Sequence, residues 1–315
     1  MCKIKKRQAI DIFADSRKNK AQYHLPGLFE HYEFYQVFLP LFYEHREFFY
    51  EWCDIGSVYG APKDCIWSGG RVGFGTDDPQ KVFDFVQQYG ISARLTFSNM
   101  LLRKEHLADQ RCNTLCALLE KGTQVQNGVI VASDILLSYI RETYPGLYVV
   151  SSTTKVITEF EQCLTELGRE EFRYVVPDFR LNKKLDRWGM LSPGQKEKVE
   201  FLINECCWFG CKERRHCYET VSRQNLGEDC PDHRCMAPGA EDGYLFSKAM
   251  RNPGFISLED IQNVYLSMGF SNFKVEGRSL GSALLLEFIL YYMTKPEYQL
   301  QVREKIYLDN MLDLF

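Results

Sequence analysis

The chain has 315 residues, 45% of them apolar and 25% charged, with 38 Lys and Arg against 42 Asp and Glu for a formal charge of -4 and a pI near 5.9. That length buries a full core without metal or disulfide staples, and that balance argues against a protein that coats nucleic acid through bulk charge. The longest apolar run, 283–293, is too short for a membrane span and carries Glu287, so a buried helix is expected there.

In chain order, the N-terminal stretch is basic but runs into Asp11, Asp15 and Ser16 without the apolar core of a secretory signal, so a cytoplasmic location is expected. Residues 1–50 are unusually aromatic, with Tyr23, Phe29, Tyr32, Phe34, Tyr35, Phe38, Phe42 and Tyr43 among them. They predict a mainly helical segment broken near Pro26-Gly27 and Pro40 and packed on the rest of the chain. Nucleobase stacking is the alternative use for such a stripe.

From about residue 53, short apolar or β-branched runs alternate with stretches of helical spacing. Strands are expected near 55–58 or 65–68, then 92–97, 128–132, 148–151, 173–176, 199–203 and 272–275, with helices over 79–89, 134–143, 156–167 and 258–268. Ser257 is a candidate N-cap for the last helix. Seven or eight such units predict an α/β fold, a TIM-like (β/α) barrel over 51–315, carrying a cysteine-rich loop at 204–240. No Pro-, Gly- or Ser-rich linker divides the chain.

In such a barrel the active site is built where strands end. The runs here close in polar groups: Ser68-Gly69-Gly70-Arg71, Ser98-Asn99, Ser133-Asp134, Ser152-Thr153-Thr154-Lys155, Asp178 with Arg180 and Asn182, Asn204-Glu205, and Glu276-Gly277-Arg278. Helix caps, turns and local ion pairs account for each one singly; their recurrence at successive strand ends predicts a polar pocket.

Six of the twelve cysteines, Cys206, Cys207, Cys211, Cys217, Cys230 and Cys235, fall within thirty residues. In a reducing compartment such a cluster more often binds metal or does chemistry than forms disulfides. Four thiolates suit tetrahedral zinc or a 4Fe-4S cluster. Paired C-x2-C knuckles are absent, and the irregular spacing leans toward iron–sulfur. Cys207, Cys211, Cys230 and Cys235 are the first-choice ligands, with Cys217 as the replacement; His216 and His233 are possible nitrogen ligands. Lys212, Arg214 and Arg215 make the same stretch locally basic, fit for a phosphate, a carboxylate or an RNA backbone.

The segment Ser271-Asn272-Phe273-Lys274-Val275-Glu276-Gly277-Arg278 resembles the K-I-E-G-R segment of the collagenase-like U32 peptidase family. Residues 199–204 leading to Cys207, and Gly227-Glu228-Asp229-Cys230 leading to Cys235, resemble the family's cysteine-bearing regions. The resemblance spans roughly 54–293 and is best over 199–280. It implies a TIM-like barrel with a 4Fe-4S cluster and, despite the peptidase name, oxygen-independent hydroxylation or a related modification of a small-molecule or RNA substrate. It also implies a possible homologous or heteromeric protein partner.

Within that reading Glu205, Asp178 and Glu276 are candidate acid/base or orienting groups and Arg180 and Arg278 candidate anion clamps. A set of structural salt bridges under the cysteine loop is the alternative. Two further functions stay open. One is a peptidase, although no G-x-S-x-G elbow or H-E-x-x-H motif occurs. The other is a non-catalytic metal or redox module that docks a partner.

Overall fold

The computed structural model describes residues 20–70, 78–121, 125–277 and 280–310. Their strands form one eight-stranded parallel sheet. These are β1 (Ala21–Pro26), β2 (Cys53–Gly60), β3 (Ser92–Phe97), β4 (Gly128–Val131), β5 (Tyr148–Ser151), β6 (Phe172–Val175), β7 (Glu200–Leu202) and β8 (Asn272–Lys274). The order 6-5-4-3-2-1-8-7 is a ring opened between β6 and β7, and the parallel bridge Val175 to Val199 closes that gap. The expected TIM-like α/β barrel is the observed architecture.

Helices of eight residues or more wrap it: α1 (Tyr32–Glu44), α2 (Pro79–Gln88), α3 (Gln110–Glu120), α4 (Asp134–Thr143), α5 (Phe160–Leu167), α6 (Arg214–Asn225), α7 (Ser282–Tyr292) and α8 (Gln299–Asn310). Their starts are written locally. Asp78 accepts from the Lys81 amide with Pro79 behind it, Asp109 accepts from Cys112, and Ser133 from Leu136. Ser257 caps as expected, its Oγ accepting from the Asp260 amide at 3.0 Å while Asp260 returns the bond at 2.9 Å. That turn continues as a π-helical stretch, Ile261–Tyr265. The apolar run near 283–293 forms α7, with Leu285, Leu286, Phe288, Ile289, Leu290 and Tyr292 buried. Among the described residues no helix is long and apolar enough to cross a membrane.

The aromatic N-terminal stretch departs from expectation. It supplies β1, which pairs with β2 on one side and β8 on the other, so the barrel begins at residue 21 and not at 51. A strand buried on both faces has no alternation to betray it, and helical spacing of Tyr23 with the aromatics that follow masks it. Pro40 also fails to break the chain and sits inside α1. The helix tolerates the lost hydrogen bond because Tyr32, Phe34, Tyr35, Phe38, Leu39, Leu41 and Phe42 are all buried along it.

The barrel interior is a charged layer rather than the usual branched-aliphatic filling. Glu200 is fully buried; its Oε2 meets Arg94 Nη1 at 2.5 Å and lies 3.5 Å from His24 Nε2, and its Oε1 lies 3.6 Å from Lys274 Nζ. Arg94 Nε donates to Tyr148 OH at 2.7 Å, and His24 Nδ1 lies 2.8 Å from Ser57 Oγ. Gly128 leaves the space for that tyrosine: a Cβ there would stand 2.4 Å from its ring. Burial opposes ionisation of Glu200, but Arg94 and the other cations outweigh it and hold the carboxyl at about 2. Burial, reinforced by Arg94, pushes His24 down to about 3, so the ring is neutral at pH 7.

Both shifts act in one direction on stability. Each group binds a proton more readily in the unfolded chain than in the barrel, so stability falls with acidification: first through His24, below its ordinary 6.5, and then through Glu200 below the ordinary carboxylate range. Denaturant titrations of wild type and His24→Asn should diverge between pH 6.5 and 5, the wild type losing roughly 1 kcal/mol per unit more than the variant. Parallel curves would place the histidine titration elsewhere. Glu200→Gln removes the buried counter-ion of Arg94 and should cost about 3–5 kcal/mol at pH 7.

Candidate active site

The polar residues at the strand ends meet at one mouth. Asn204 Oδ1 accepts from the Glu276 amide at 2.7 Å and its Nδ2 donates to the Glu276 carbonyl at 3.1 Å, tying the exit of β7 to that of β8. Asn99, after β3, donates to the carbonyls of Ile66 and Ser222, anchoring α6 across the opening. Thr154 donates to the Ser98 carbonyl at 3.4 Å. Others serve outside the mouth: Ser133 caps α4, and Asp134 pairs with Arg169 at 2.9 Å.

A cavity of about 650 Å³ opens there. Its wall includes Ser152, Thr153 and Thr154 after β5, Glu205 to Phe209 after β7, Glu276 and Gly277 after β8, and Lys248, Arg251, Asn252 and Pro253. Its inner surface is made by Tyr59, Thr96, Ile130, Val176, Leu202 and Lys274 from the barrel itself. The helix α6 contributes Arg214, Cys217 and Tyr218, which share a face because they stand three and four residues apart.

An ion-pair network under the cysteine loop fixes this wall. Arg214 Nη2 donates to Glu205 Oε2 at 2.7 Å, and its Nε lies 3.4 Å from Asp178 Oδ2. Arg180 grips the same Asp178 through Nε at 2.6 Å and Nη2 at 3.0 Å, then donates from Nη1 to the Cys211 carbonyl at 2.8 Å. Glu205 Oε1 accepts from the Cys207 amide at 2.9 Å, and Asn252 donates to the Cys207 carbonyl at 2.8 Å. Burial opposes charge on Glu205, yet Arg214 keeps its carboxyl below the ordinary range; the Glu276 carboxyl is a further hydrogen-bond partner.

Of the expected site residues, Glu205 and Glu276 therefore face the cavity. Asp178, fully buried, and Arg180 stand behind the wall and carry the loop. Arg278, like Arg71, lies outside the described residues. Arg214 is more than a basic rim residue: at 4% exposure it is the cation joining Glu205 to Asp178. Lys274, Tyr218 and Tyr244 belong to the cavity and were not singled out by spacing. Lys274 had a signal, as a charge inside an apolar run, and so did Arg94 and Glu200.

The thiols converge in part. Cys206, Cys207, Cys211, Cys217 and Cys235 line the cavity together with His233, whose ring packs edge-on against His216 at 5.2 Å. Cys230 does not; its Sγ lies 3.8 Å from the Thr220 carbonyl. All six are free thiols. Burial pushes Cys206 up to about 12, reinforced by Glu205 and Glu276, and pushes Cys207 to about 12 against the pull of Arg214. The donor chemistry, thiols with an imidazole facing one space, fits a thiolate-ligated iron–sulfur or zinc group. The spacing is looser: among the described residues no three Cys, His, Asp or Glu side chains close on a single ion.

No protein-family model matches the chain, and no curated protein does. A solved structure of a U32 peptidase is similar at 16% identity with a TM-score of 0.45, over 71% of this chain and 85% of that one.

Arg214→Met would leave Glu205 buried without its cation and take one of two cations from Asp178. The expected cost is about 3–5 kcal/mol. Hydrogen exchange should accelerate over 205–225 more than in β2 to β5; protection lost equally everywhere would mean that the network does not act on the loop.

Proposed function

We propose that this barrel is an iron–sulfur enzyme whose substrate occupies the 650 Å³ cavity, with the cluster held at its outer wall by Cys207, Cys211, Cys217 and Cys235. The observation that carries this reading is that five of the six clustered cysteines line the same cavity, beside the ion pairs of Arg214 with Glu205 and Arg180 with Asp178. Cys217 replaces Cys230 in the ligand set expected from sequence, because Cys217 shares the α6 face with Arg214 and Tyr218 while Cys230 turns to a backbone carbonyl. The bound cluster would supply redox or Lewis-acid chemistry. It would also give the buried thiols the positive charge they need to ionise. Oxygen-independent hydroxylation, or a related modification of a small-molecule or RNA-borne group, is the reaction class that the family resemblance implies. Cytoplasmic residence follows from the same reading, since reduced thiols and an oxygen-sensitive cluster need a reducing compartment.

A hydrolytic second reading, as a peptidase, has one observation in its favour. Glu205 and Glu276 stand as a hydrogen-bonded carboxyl pair at the cavity, and two carboxyls that share a proton can activate water and protonate a leaving group. Burial raises the Cys206 and Cys207 thiols, which disfavours those two as nucleophiles.

Anaerobic purification should give a brown protein with broad absorbance near ~400 nm and about four irons per chain. Cys217→Ser should lose the chromophore and Cys230→Ser should keep it. A colourless protein holding one zinc, or the reverse response of the two variants, overturns the assignment. Cleavage of a peptide library by the colourless protein would instead establish the hydrolytic reading.

A further inference from the structure

The cavity ends inside the barrel on a floor of strand residues. Arg94 and Thr96 stand two apart on β3 and so point to the same interior face, Arg94 into the charged layer around Glu200 and Thr96 one level nearer the mouth. Thr96 pairs in register with Ile130 of β4, and Leu202 of β7 with Lys274 of β8. Together with Tyr59 and Val176 these residues line the inner end. Tyr59, Ile130, Val176 and Leu202 belong to one buried apolar cluster, so most of the floor offers carbon.

The polar groups of this floor differ in what they still need. The Tyr59 hydroxyl donates to the Val275 carbonyl at 2.6 Å. The Lys274 ammonium lies 3.3 Å from the centroid of the Tyr59 ring and 3.6 Å from Glu200 Oε1, so its charge is already countered. Thr96 is different. It lines the cavity and is 3% exposed, and its Oγ1 has no hydrogen-bond partner among the described residues. A buried hydroxyl left without a partner destabilises the fold, and the cavity is the side from which a partner can reach this one.

The same floor selects against charge. An anion set on it would lose its water to an apolar surface whose ammonium, Lys274, is already paired with Glu200, and it would pass Glu205 and Glu276 on the way in. A cation would meet Lys274. A neutral group with an acceptor atom meets neither obstacle, because a hydrogen bond from Thr96 replaces the one that the acceptor gave up in water. We propose that the inner end of the cavity is a subsite for an uncharged carbonyl group on an aliphatic body, with Thr96 Oγ1 donating to the carbonyl oxygen and the carbon chain lying against Tyr59, Ile130, Val176 and Leu202. Thr96 is then a specificity-determining residue. The inference rests on the cavity being the substrate site and not on what the thiols hold.

The test uses 2-heptanone, its alkene isostere 2-methyl-1-heptene and heptanoate on the full chain as purified, with binding measured by ligand-observed NMR. The ketone should bind about tenfold more tightly than heptanoate at pH 7. Thr96→Val, which keeps the shape, should weaken the ketone about five- to tenfold and leave the alkene as tight or tighter, while Thr96→Ser keeps the ketone within a few-fold. Because the valine variant removes an unpartnered hydroxyl, it should melt no lower than wild type; a lower melting temperature would show that the hydroxyl is already satisfied and overturns the proposal. Heptanoate as tight as the ketone, no ketone binding at millimolar concentration, or equal weakening of ketone and alkene in Thr96→Val overturns it as well. A colourless protein that still holds the ketone through Thr96 removes the cluster and leaves the subsite standing; an iron-bearing protein whose ketone binding ignores Thr96 does the reverse.

Discussion

The buried carboxylate of Glu200 is the constraint around which this barrel is organised. Arg94 from β3, His24 from β1 and Lys274 from β8 all converge on it, so one side chain of β7 joins strands on both sides of the ring. An aliphatic barrel interior would tolerate changes of partner among similar side chains. A layer of charges does not, since every misplacement leaves a buried ion without its counter-ion. The narrow join between β6 and β7, a single bridge, is thereby reinforced from within by the residue that opens β7.

A second ion-pair network repeats the principle one level higher. Asp178 and Glu205 follow β6 and β7, and Arg214 opens the helix that crosses the mouth; together with Arg180 they connect the barrel to the cysteine loop through side-chain pairs and the Cys211 carbonyl. The cavity lies between these two levels. Its inner surface belongs to the barrel layer and its outer wall to the loop, so the two can be altered separately. The thiols differ in how they are held: Cys207 donates its amide to Glu205 of the network, whereas Cys235 is exposed.

Much of the architecture was legible because its signals are local. The strands near 92–97, 128–132 and 148–151 and the helix 134–143 lie where apolar runs and the Ser133-Asp134 cap place them, to within a residue. The polar strand ends also announced a pocket. β1 was not legible, because Tyr23, His24 and Leu25 sit in a stretch whose aromatics recur at helical spacing and whose strand is covered on both faces. Pro40 misled for a related reason: a local helix breaker is overridden by burial of a whole aromatic face. In the site, Glu205 and Glu276 could be placed at the mouth from their positions after strands. The separation of Asp178 and Arg180 from the cavity could not, because side chains near a strand end can turn either way.

The sequence by itself determined the alternation of strands and helices, the closing polar residues and the crowding of six cysteines in one loop, since each depends on neighbours along the chain. Tertiary structure alone decided which charges meet. Glu200 is 106 residues from Arg94, and Glu276 stands beside an Asn204 that is 72 residues away. It also decided that five thiols and not six line the cavity. The physical reason is range: a cap or an apolar period is satisfied within a few residues, whereas a buried charge finds its partner only where the closed barrel brings distant strands side by side.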